Sequence, residues 1–193
     1  SSGVNTDWIV VDSTIKTGLG IALNQDNDRA ILTYTGSIDG VMPTDMILER
    51  ITSARHLHIG SYFLMKRLQT VYPTLLPEVQ RQGISVSLDS NWDPAERWES
   101  GIQKLLPYVS VFLPNQAEAK YISHVDNIET ALSRLRHSAA VIAIKNGAQG
   151  ATVFHAESLA PGGISTLLSS ASENAEHIRG AEWKQGERGL SAS

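Results

Sequence analysis

Asn115 and Glu118 lie three residues apart, and both carry side chains that can bind a ligand or a metal ion. A separation of three residues places both side chains at the N-terminal turn of one helix. One interpretation is a capping box, in which Asn115 caps the helix and Glu118 reaches back to its backbone N–H. The other is a carboxylate that organises hydrated Mg²⁺ near a phosphate group, because hard cations prefer oxygen ligands. The spacing alone leaves both interpretations open.

Further polar residues follow other apolar runs. Asp89 and Asn91 come after ISVSL, residues 84–88, and point to the same side of the chain. They form either an Asx turn that closes a strand or hydrogen-bonding groups for a polyhydroxylated or anionic ligand. Lys145 and Gly147 follow another apolar run, either in an ordinary hairpin turn or where glycine lets the backbone approach a nucleotide closely. Neither GxxxxGK(S/T) nor GxGxxG occurs, so the common phosphate-binding fingerprints are absent.

The elements that would position these residues alternate between strands and helices. Short stretches, apolar throughout or at every second position, predict strands at residues 56–59, 84–88, 109–113, 140–144 and 151–154. Capping residues and apolar spacings of three and four predict helices at residues 44–52, 65–79, 96–106, 116–122 and 128–135. This order predicts an α/β fold with a mostly parallel sheet and helices on both of its faces. Ahead of it, two β-prone runs around a polar cluster predict a β-hairpin at about residues 19–34.

The predicted strands end at the polar residues. Ligands of open parallel sheets bind beyond the carboxyl ends of the strands. Gly60, Asp89, Asn115 and Lys145 each follow a predicted strand, so we expect them along one edge of the sheet. This convergence favours a binding site more strongly than any one motif does. Residues 161–193, rich in Ser, Gly, Ala and Glu without a sustained apolar period, are expected to be poorly ordered.

The composition argues against several classes of protein. With 16 basic and 20 acidic residues among 193, and a net charge of −4, nothing predicts a nucleic-acid or anionic-membrane partner. The absence of cysteine excludes disulfides and thiolate metal sites. His56 and His58 share one face of a predicted strand, and an isolated pair of this kind is typically structural. No apolar run approaches the ~20 residues needed to cross a bilayer, so we expect a soluble, cytoplasmic protein.

Several stretches together resemble the ribokinase/PfkB family of carbohydrate kinases over about residues 4–160. The most specific similarity is LPNQAEA, residues 113–119, which matches the family's N-x-x-E signature. Thr17-Gly18 with Asp28-Arg29 resembles the family's lid region, and LHIGS (57–61) resembles the strand that leads into the substrate cleft. SLDSNWDP (87–94) resembles the D-x-N segment, and IKNGAQGA (144–151) resembles the K-x-G-x-x-G turn on the nucleotide side.

The resemblance implies a ribokinase-like fold and a phosphoryl transfer from ATP, as its Mg²⁺ complex, to a hydroxyl of a sugar or sugar derivative. It implies nucleotide-binding roles for Asn115, Glu118, Lys145 and Gly147, with Glu118 at the Mg²⁺. It implies substrate-binding roles for Gly60, Asp89, Asn91 and Arg29. The lid hairpin, at about residues 17–35, is expected to cover the sugar and to contact a second copy in a homodimer.

The sequence departs from the family pattern toward both ends. The family's glycine-rich sugar-binding segment does not occur before Trp8, and its G-A-G-D segment, which carries the general base, does not occur after Phe154. We therefore assign no catalytic residue. We expect residues 1–160 to form a partial kinase domain that is inactive alone, and residues 161–193 to lie outside the family. The alternatives are a non-catalytic nucleotide- or sugar-binding module and a structural remnant of a truncated gene.

Overall fold

The computed structural model of the chain describes residues 9–25, 28–42, 45–136, 138–155 and 175–178, together with Gly3 and Thr6. These residues form a two-stranded hairpin and a separate six-stranded sheet with its helices. None of the helices within these ranges is long and apolar enough to cross a membrane.

The N-terminal hairpin consists of β1 (Leu19–Gln25) and β2 (Asp28–Tyr34), which pair antiparallel. This confirms the predicted hairpin. One of its faces is apolar, because the register places large side chains opposite one another. The large side chains on that face are between 48 and 59% exposed: Leu19, Ile21, Leu23, Leu32 and Tyr34. A two-stranded ribbon alone is marginally stable in water, so contacts on this apolar face would add to its stability.

The main sheet confirms the predicted α/β class with mostly parallel strands. Its strands, in spatial order, are β3 (His56–Ile59), β4 (Ser85–Leu88), β5 (Val111–Phe112), β6 (Val141–Lys145), β7 (Ala151–His155) and β8 (Ala175–Ile178). Neighbouring strands from β3 to β6 pair parallel, whereas β7 pairs antiparallel with both of its neighbours, β6 and β8. Strand β8 falls in the segment expected to be poorly ordered, and the rest of that segment lies outside the described residues.

Six α-helices accompany the strands. They are α1 (Asp45–Ser53), α2 (Lys66–Gln69), α3 (Tyr72–Arg81), α4 (Ile102–Leu105), α5 (Gln116–Ile122) and α6 (Ile128–Leu135) among the described residues. Helices α5 and α6 have the predicted bounds. The single helix predicted at residues 65–79 is instead divided into α2 and α3. Pro73 lies in the first turn of α3, where its missing N–H costs little; within one continuous helix it could not bond to the carbonyl of Gln69.

The helix predicted at residues 96–106 is wrong in its first half, because the buried Asp93 captures the backbone there. Its carboxylate accepts hydrogen bonds of 2.8–3.0 Å from three backbone N–H groups, those of Ala95, Arg97 and Trp98. Trp98 has a φ of 57°, in the left-handed region that a right-handed helix does not use. Helix α4 therefore begins only at Ile102, after this loop.

One face of the sheet forms the hydrophobic core. Ile142 and Ile144 of β6 are buried, whereas Val141 and Ala143 between them are half-buried. The sequence predicted helices on both faces of the sheet. Because β3 to β6 follow one another in sequence order and parallel crossovers are right-handed, the helices that connect these four strands instead lie on one face. The carboxyl ends of the strands and the N-termini of their following helices therefore meet at one edge.

The other face is polar where it meets the β3 edge. The ring nitrogens of His56 lie 2.7 Å from the Ser85 hydroxyl and 2.8 Å from that of Ser87. The His58 Nδ1 also lies 2.8 Å from the Ser87 hydroxyl. No group of three or more potential metal-ligating side chains occurs among the described residues. These contacts support the structural interpretation of the histidine pair.

Candidate functional site

Backbone hydrogen bonds join the loops that follow β3, β4, β5 and β6 into one edge. The Asp89 N–H donates to the Ile59 carbonyl at 2.9 Å, which places Asp89 beside Gly60. On the other side, the Lys145 N–H donates to the Pro114 carbonyl at 2.9 Å, and Lys145 forms a parallel bridge with Asn115. The structure thus places the strand-end residues of the predicted site along the same edge of the sheet.

Asn115 and Glu118 form a complete capping box at the start of α5. Asn115 Oδ1 accepts from the Glu118 N–H at 2.8 Å, and Glu118 Oε2 accepts from the Asn115 N–H at 2.9 Å. Asn115 Nδ2 donates to Glu118 Oε1 at 2.8 Å. The hydroxyl of the fully buried Ser90 adds a fourth bond, donating to Glu118 Oε2 at 3.1 Å. The carboxylate, 5% exposed, therefore connects α5 to the loop after β4.

The same contacts limit how Glu118 can hold a metal ion. A carboxylate offers about four acceptor positions. Three are used, two on Oε2 and one on Oε1, so one position on Oε1 remains. Such a position suits a water molecule of a hydrated Mg²⁺, which keeps several waters in proteins, better than direct coordination of the ion. The carboxylate of Glu118 therefore fits contact with Mg²⁺ through a water molecule.

Lys145 and Asp89 form an ion pair across the strand ends. The Lys145 Nζ lies 2.8 Å from Asp89 Oδ2, with side chains 44% and 34% exposed, respectively. The second oxygen of Asp89 accepts from the Asn91 N–H at 3.2 Å, in an Asx turn that holds Asn91 at a φ of 58°. The turn interpretation of Asp89 and Asn91 thus holds, and the turn leaves the carboxylate at the surface of the edge.

The turn between β6 and β7 presents a glycine backbone to solvent. Gly147 has a φ of 60°, and no atom lies within 4 Å of where a Cβ would stand. Asn146 supports the turn, because its amide donates to the Thr152 hydroxyl at 2.8 Å and accepts from the Gln116 amide at 3.0 Å. Glycine is therefore needed for the conformation of this turn, and the space beside it is open to a ligand.

Two remaining predictions concern Gly60 and Arg29. Gly60 lies at the edge, but a Cβ there would make only an ordinary contact of 3.5 Å with His58. The left-handed residue in that loop is Ser61, with a φ of 56°. Arg29 lies in β2, opposite Asn24, in the two-stranded sheet that is separate from the sheet of the strand ends. Sequence reasoning missed Ser61, and nothing in the local pattern signals a left-handed serine.

Aromatic side chains pack beneath the edge. Trp98 is buried, stacks on Tyr121 of α5 at a centroid distance of 5.1 Å, and meets Phe63 edge-on at 5.1 Å. Tyr62 donates from its hydroxyl to the Ser100 carbonyl at 2.9 Å, and its burial raises the pKa of its hydroxyl above the usual value. These contacts hold the loops after β3 and β4 against α5, so the polar residues of the sheet edge are supported by packed aromatic side chains.

An open, mostly parallel sheet with polar groups gathered beyond its strand ends defines an α/β protein of the kind that binds ligands at that edge. The family model of the pfkB family carbohydrate kinases matches residues 1–166 of the chain. The chain therefore belongs to the pfkB family of carbohydrate kinases, which confirms the resemblance carried by the N-x-x-E and K-x-G-x-x-G stretches.

Similar proteins support the same family. An uncharacterized sugar kinase of Archaeoglobus fulgidus is 23% identical over 148 residues, which are 77% of this chain and 58% of that protein. A PfkB protein from a Polaromonas species has 20% identity and a TM-score of 0.62, covering 79% of this chain and 55% of that one. Arabidopsis thaliana ribokinase, solved with ribose and ATP, has 18% identity and a TM-score of 0.54, covering 73% and 46%. The chain thus spans about half the length of these relatives.

Proposed function

We propose that this chain supplies the nucleotide side and part of the sugar side of an ATP-dependent sugar kinase. The observation that carries the proposal is the convergence of Asp89, Asn115, Glu118 and Lys145 at adjacent strand ends, tied together by the contacts described above. The Arabidopsis relative, solved with ribose and ATP, supports both ligand classes. A kinase that uses ATP is expected in the cytoplasm, where this nucleotide is available.

The proposed roles follow from charge and position. Lys145 would face the phosphates of ATP, and Gly147 would let the backbone approach the nucleotide. Asn115 and Glu118 would orient the waters of a hydrated Mg²⁺, which neutralises phosphate charge when bound. Asp89 and Asn91, with Gly60 and the lid residue Arg29, would contact the sugar.

We further propose that the chain alone does not catalyse phosphorylation of a sugar. Phosphoryl transfer forms a bond from the sugar oxygen to the γ-phosphorus while the bond to the leaving phosphate oxygen breaks, and the hydroxyl proton must pass to a base. None of the residues proposed at this edge is placed as that base. General-base help is typically worth ~10²–10⁴-fold, and one charge-stabilising donor a further ~10²–10³-fold.

The proposal is tested on the purified chain by calorimetric titration with MgATP and by ADP release with hexoses, pentoses and sugar acids. We expect weak binding of MgATP, no sugar-dependent ADP release, and weaker binding by Glu118→Gln. The matched control is Glu129→Gln, an exposed first-turn glutamate of α6. Sugar-dependent turnover that Glu118→Gln abolishes would refute the claim of inactivity, and a chain that binds no nucleotide would refute the nucleotide-side assignment.

We also propose that the apolar face of the hairpin contacts a second copy of the chain, because its large side chains are about half exposed. Sedimentation velocity measures the oligomeric state. We expect a dimer that is weakened when Ile21 and Leu32, which lie opposite each other, are both replaced by threonine. Threonine is β-branched and favours strands, and it removes apolar surface at both positions. A strict monomer at high concentration would contradict this contact.

A further inference from the structure

The ion pair of Lys145 and Asp89 connects two residues that the proposed function gives to different ligands. Lys145 ends β6 and is placed on the nucleotide side, whereas Asp89 follows β4 and is placed on the sugar side. Strand β5 lies between these two strands, so the pair reaches across its end, beside the start of α5. The contact therefore spans the interval between the two proposed binding regions.

The geometry makes the pair open to competition. Asp89 uses one oxygen for the Asn91 N–H and the other for Lys145, so the ammonium occupies the oxygen that the turn leaves available. Both side chains are partly exposed, so a phosphate oxygen can approach Lys145 from solvent. A pair at this exposure is weak, typically worth a factor of about 1.5 to 5 in an equilibrium constant. A polyanion can therefore displace the carboxylate.

We propose that a phosphate-bearing ligand displaces Asp89 from Lys145, so that the ion pair is an exchange contact rather than a fixed strut. The inference rests on the proposed function. The ammonium moves from the carboxylate to a phosphate oxygen, and Asp89 Oδ2 is then free to accept a hydrogen bond from a sugar hydroxyl. Binding of the nucleotide thus prepares the sugar side, and by linkage the sugar favours the nucleotide by the same factor.

The exchange makes a prediction that simple charge repulsion does not. Asp89→Asn removes the competitor and keeps an oxygen for the Asn91 N–H, so Lys145 is free before the ligand arrives. Affinity for a polyanion should rise through two effects, the release of Lys145 and the loss of a nearby negative charge. In a Lys145→Gln background only the second effect remains. The gain from Asp89→Asn should therefore be larger, by about 1.5- to 5-fold, when Lys145 is present.

The experiment measures the dissociation constants of inorganic tripolyphosphate and of MgATP by calorimetry, using the full chain. The variants are Asp89→Asn, Lys145→Gln, the double variant, and Lys145→Arg, which keeps the charge and should keep the exchange. Asp126→Asn, an exposed acid outside the edge, controls for net charge. Circular dichroism establishes that each variant is folded.

The outcomes separate the inference from the proposed function. A larger gain from Asp89→Asn in the presence of Lys145 supports the exchange. An equal gain in both backgrounds, or no gain, overturns it while leaving nucleotide binding intact. If the original chain binds neither tripolyphosphate nor MgATP, the proposed function fails and the exchange fails with it.

Discussion

Replacement of Glu118 by glutamine perturbs the most densely bonded side chain of the edge. The carboxylate accepts from the Asn115 N–H, the Asn115 side-chain amide and the Ser90 hydroxyl, at 2.9, 2.8 and 3.1 Å. Glutamine keeps the shape and one oxygen, which can still serve the Asn115 N–H and Ser90. Its NH₂ group would face the Asn115 amide, so two donors would meet where a donor and an acceptor meet now.

The magnitude follows from these three bonds. A hydrogen bond to a charged group contributes about 1.5–3 kcal/mol, and a neutral one about 0.5–1.5 kcal/mol. Glu118→Gln loses one charged bond and converts two others to neutral bonds, in a site that is nearly closed to water. We therefore expect the free energy of unfolding to fall by about 3–6 kcal/mol, a large part of the 5–15 kcal/mol typical of a domain.

Urea denaturation followed by circular dichroism and by tryptophan fluorescence measures this loss. Glu129→Gln is the matched control, because Glu129 is also an acidic first-turn residue but is exposed. It should cost less than about 1 kcal/mol, the usual contribution of an exposed charge at a helix N-terminus. If Glu118→Gln costs no more than this control, the buried capping network does not exist in solution, and the argument that Glu118 connects α5 to Ser90 is wrong.

Two further predictions concern the loop at Asp93 and the pH dependence of stability. Asp93→Ala leaves three backbone N–H groups without their acceptor, so we expect the free energy of unfolding to fall by about 2–4 kcal/mol and tryptophan emission to shift to the red. Because Trp98 is one of four tryptophans, the red shift should be seen in Asp93→Ala and be absent when the same change is made in a Trp98→Phe background; an unchanged spectrum would contradict the role of Asp93. Burial, helped by the neighbouring Tyr62, raises the pKa of Tyr72 from 10.0 to about 12. Between these pH values the unfolded chain ionises Tyr72 while the folded chain keeps it neutral, so stability falls as pH rises, by about 1 kcal/mol at pH 11. Urea denaturation from pH 8 to 11 should show this fall reduced in Tyr72→Phe but not in Tyr34→Phe, and an equal fall in all three would refute the assignment.

Local patterns were sufficient for the elements that carry strong local signals. Strand β3 and helix α5 have the predicted bounds, because alternating polar and apolar residues mark the strand and Asn115 with Glu118 marks the helix start. The order of strands and helices likewise implied a mostly parallel sheet, which the structure confirms. Family membership was also within reach of the sequence, since the N-x-x-E stretch and the K-x-G-x-x-G stretch stand in the family's order.

The prediction of helices was wrong where a side chain competes with the helix for backbone N–H groups or removes one. The apolar spacing of residues 96–106 favours a helix, but the Asp93 carboxylate lies close enough to collect N–H groups that the helix would need otherwise. Similarly, the spacing of residues 65–79 is helical throughout, yet Pro73 begins a new helix rather than continuing one. The spacing of apolar residues indicates which side chains can be buried together. It does not indicate which acceptors the backbone N–H groups bond to.

The amino-acid sequence was enough to indicate which polar residues stand at the strand ends, because each follows a predicted strand along the chain. Which of these residues touch depends on the three-dimensional fold. Lys145 and Asp89 are 56 positions apart, and Ser90 and Glu118 are 28 apart, so no local spacing joins them. Their contacts arise from the order and register of β4, β5 and β6, which are set by the burial of one sheet face against the helices. Side chains from distant segments meet because the core aligns the strands beneath them.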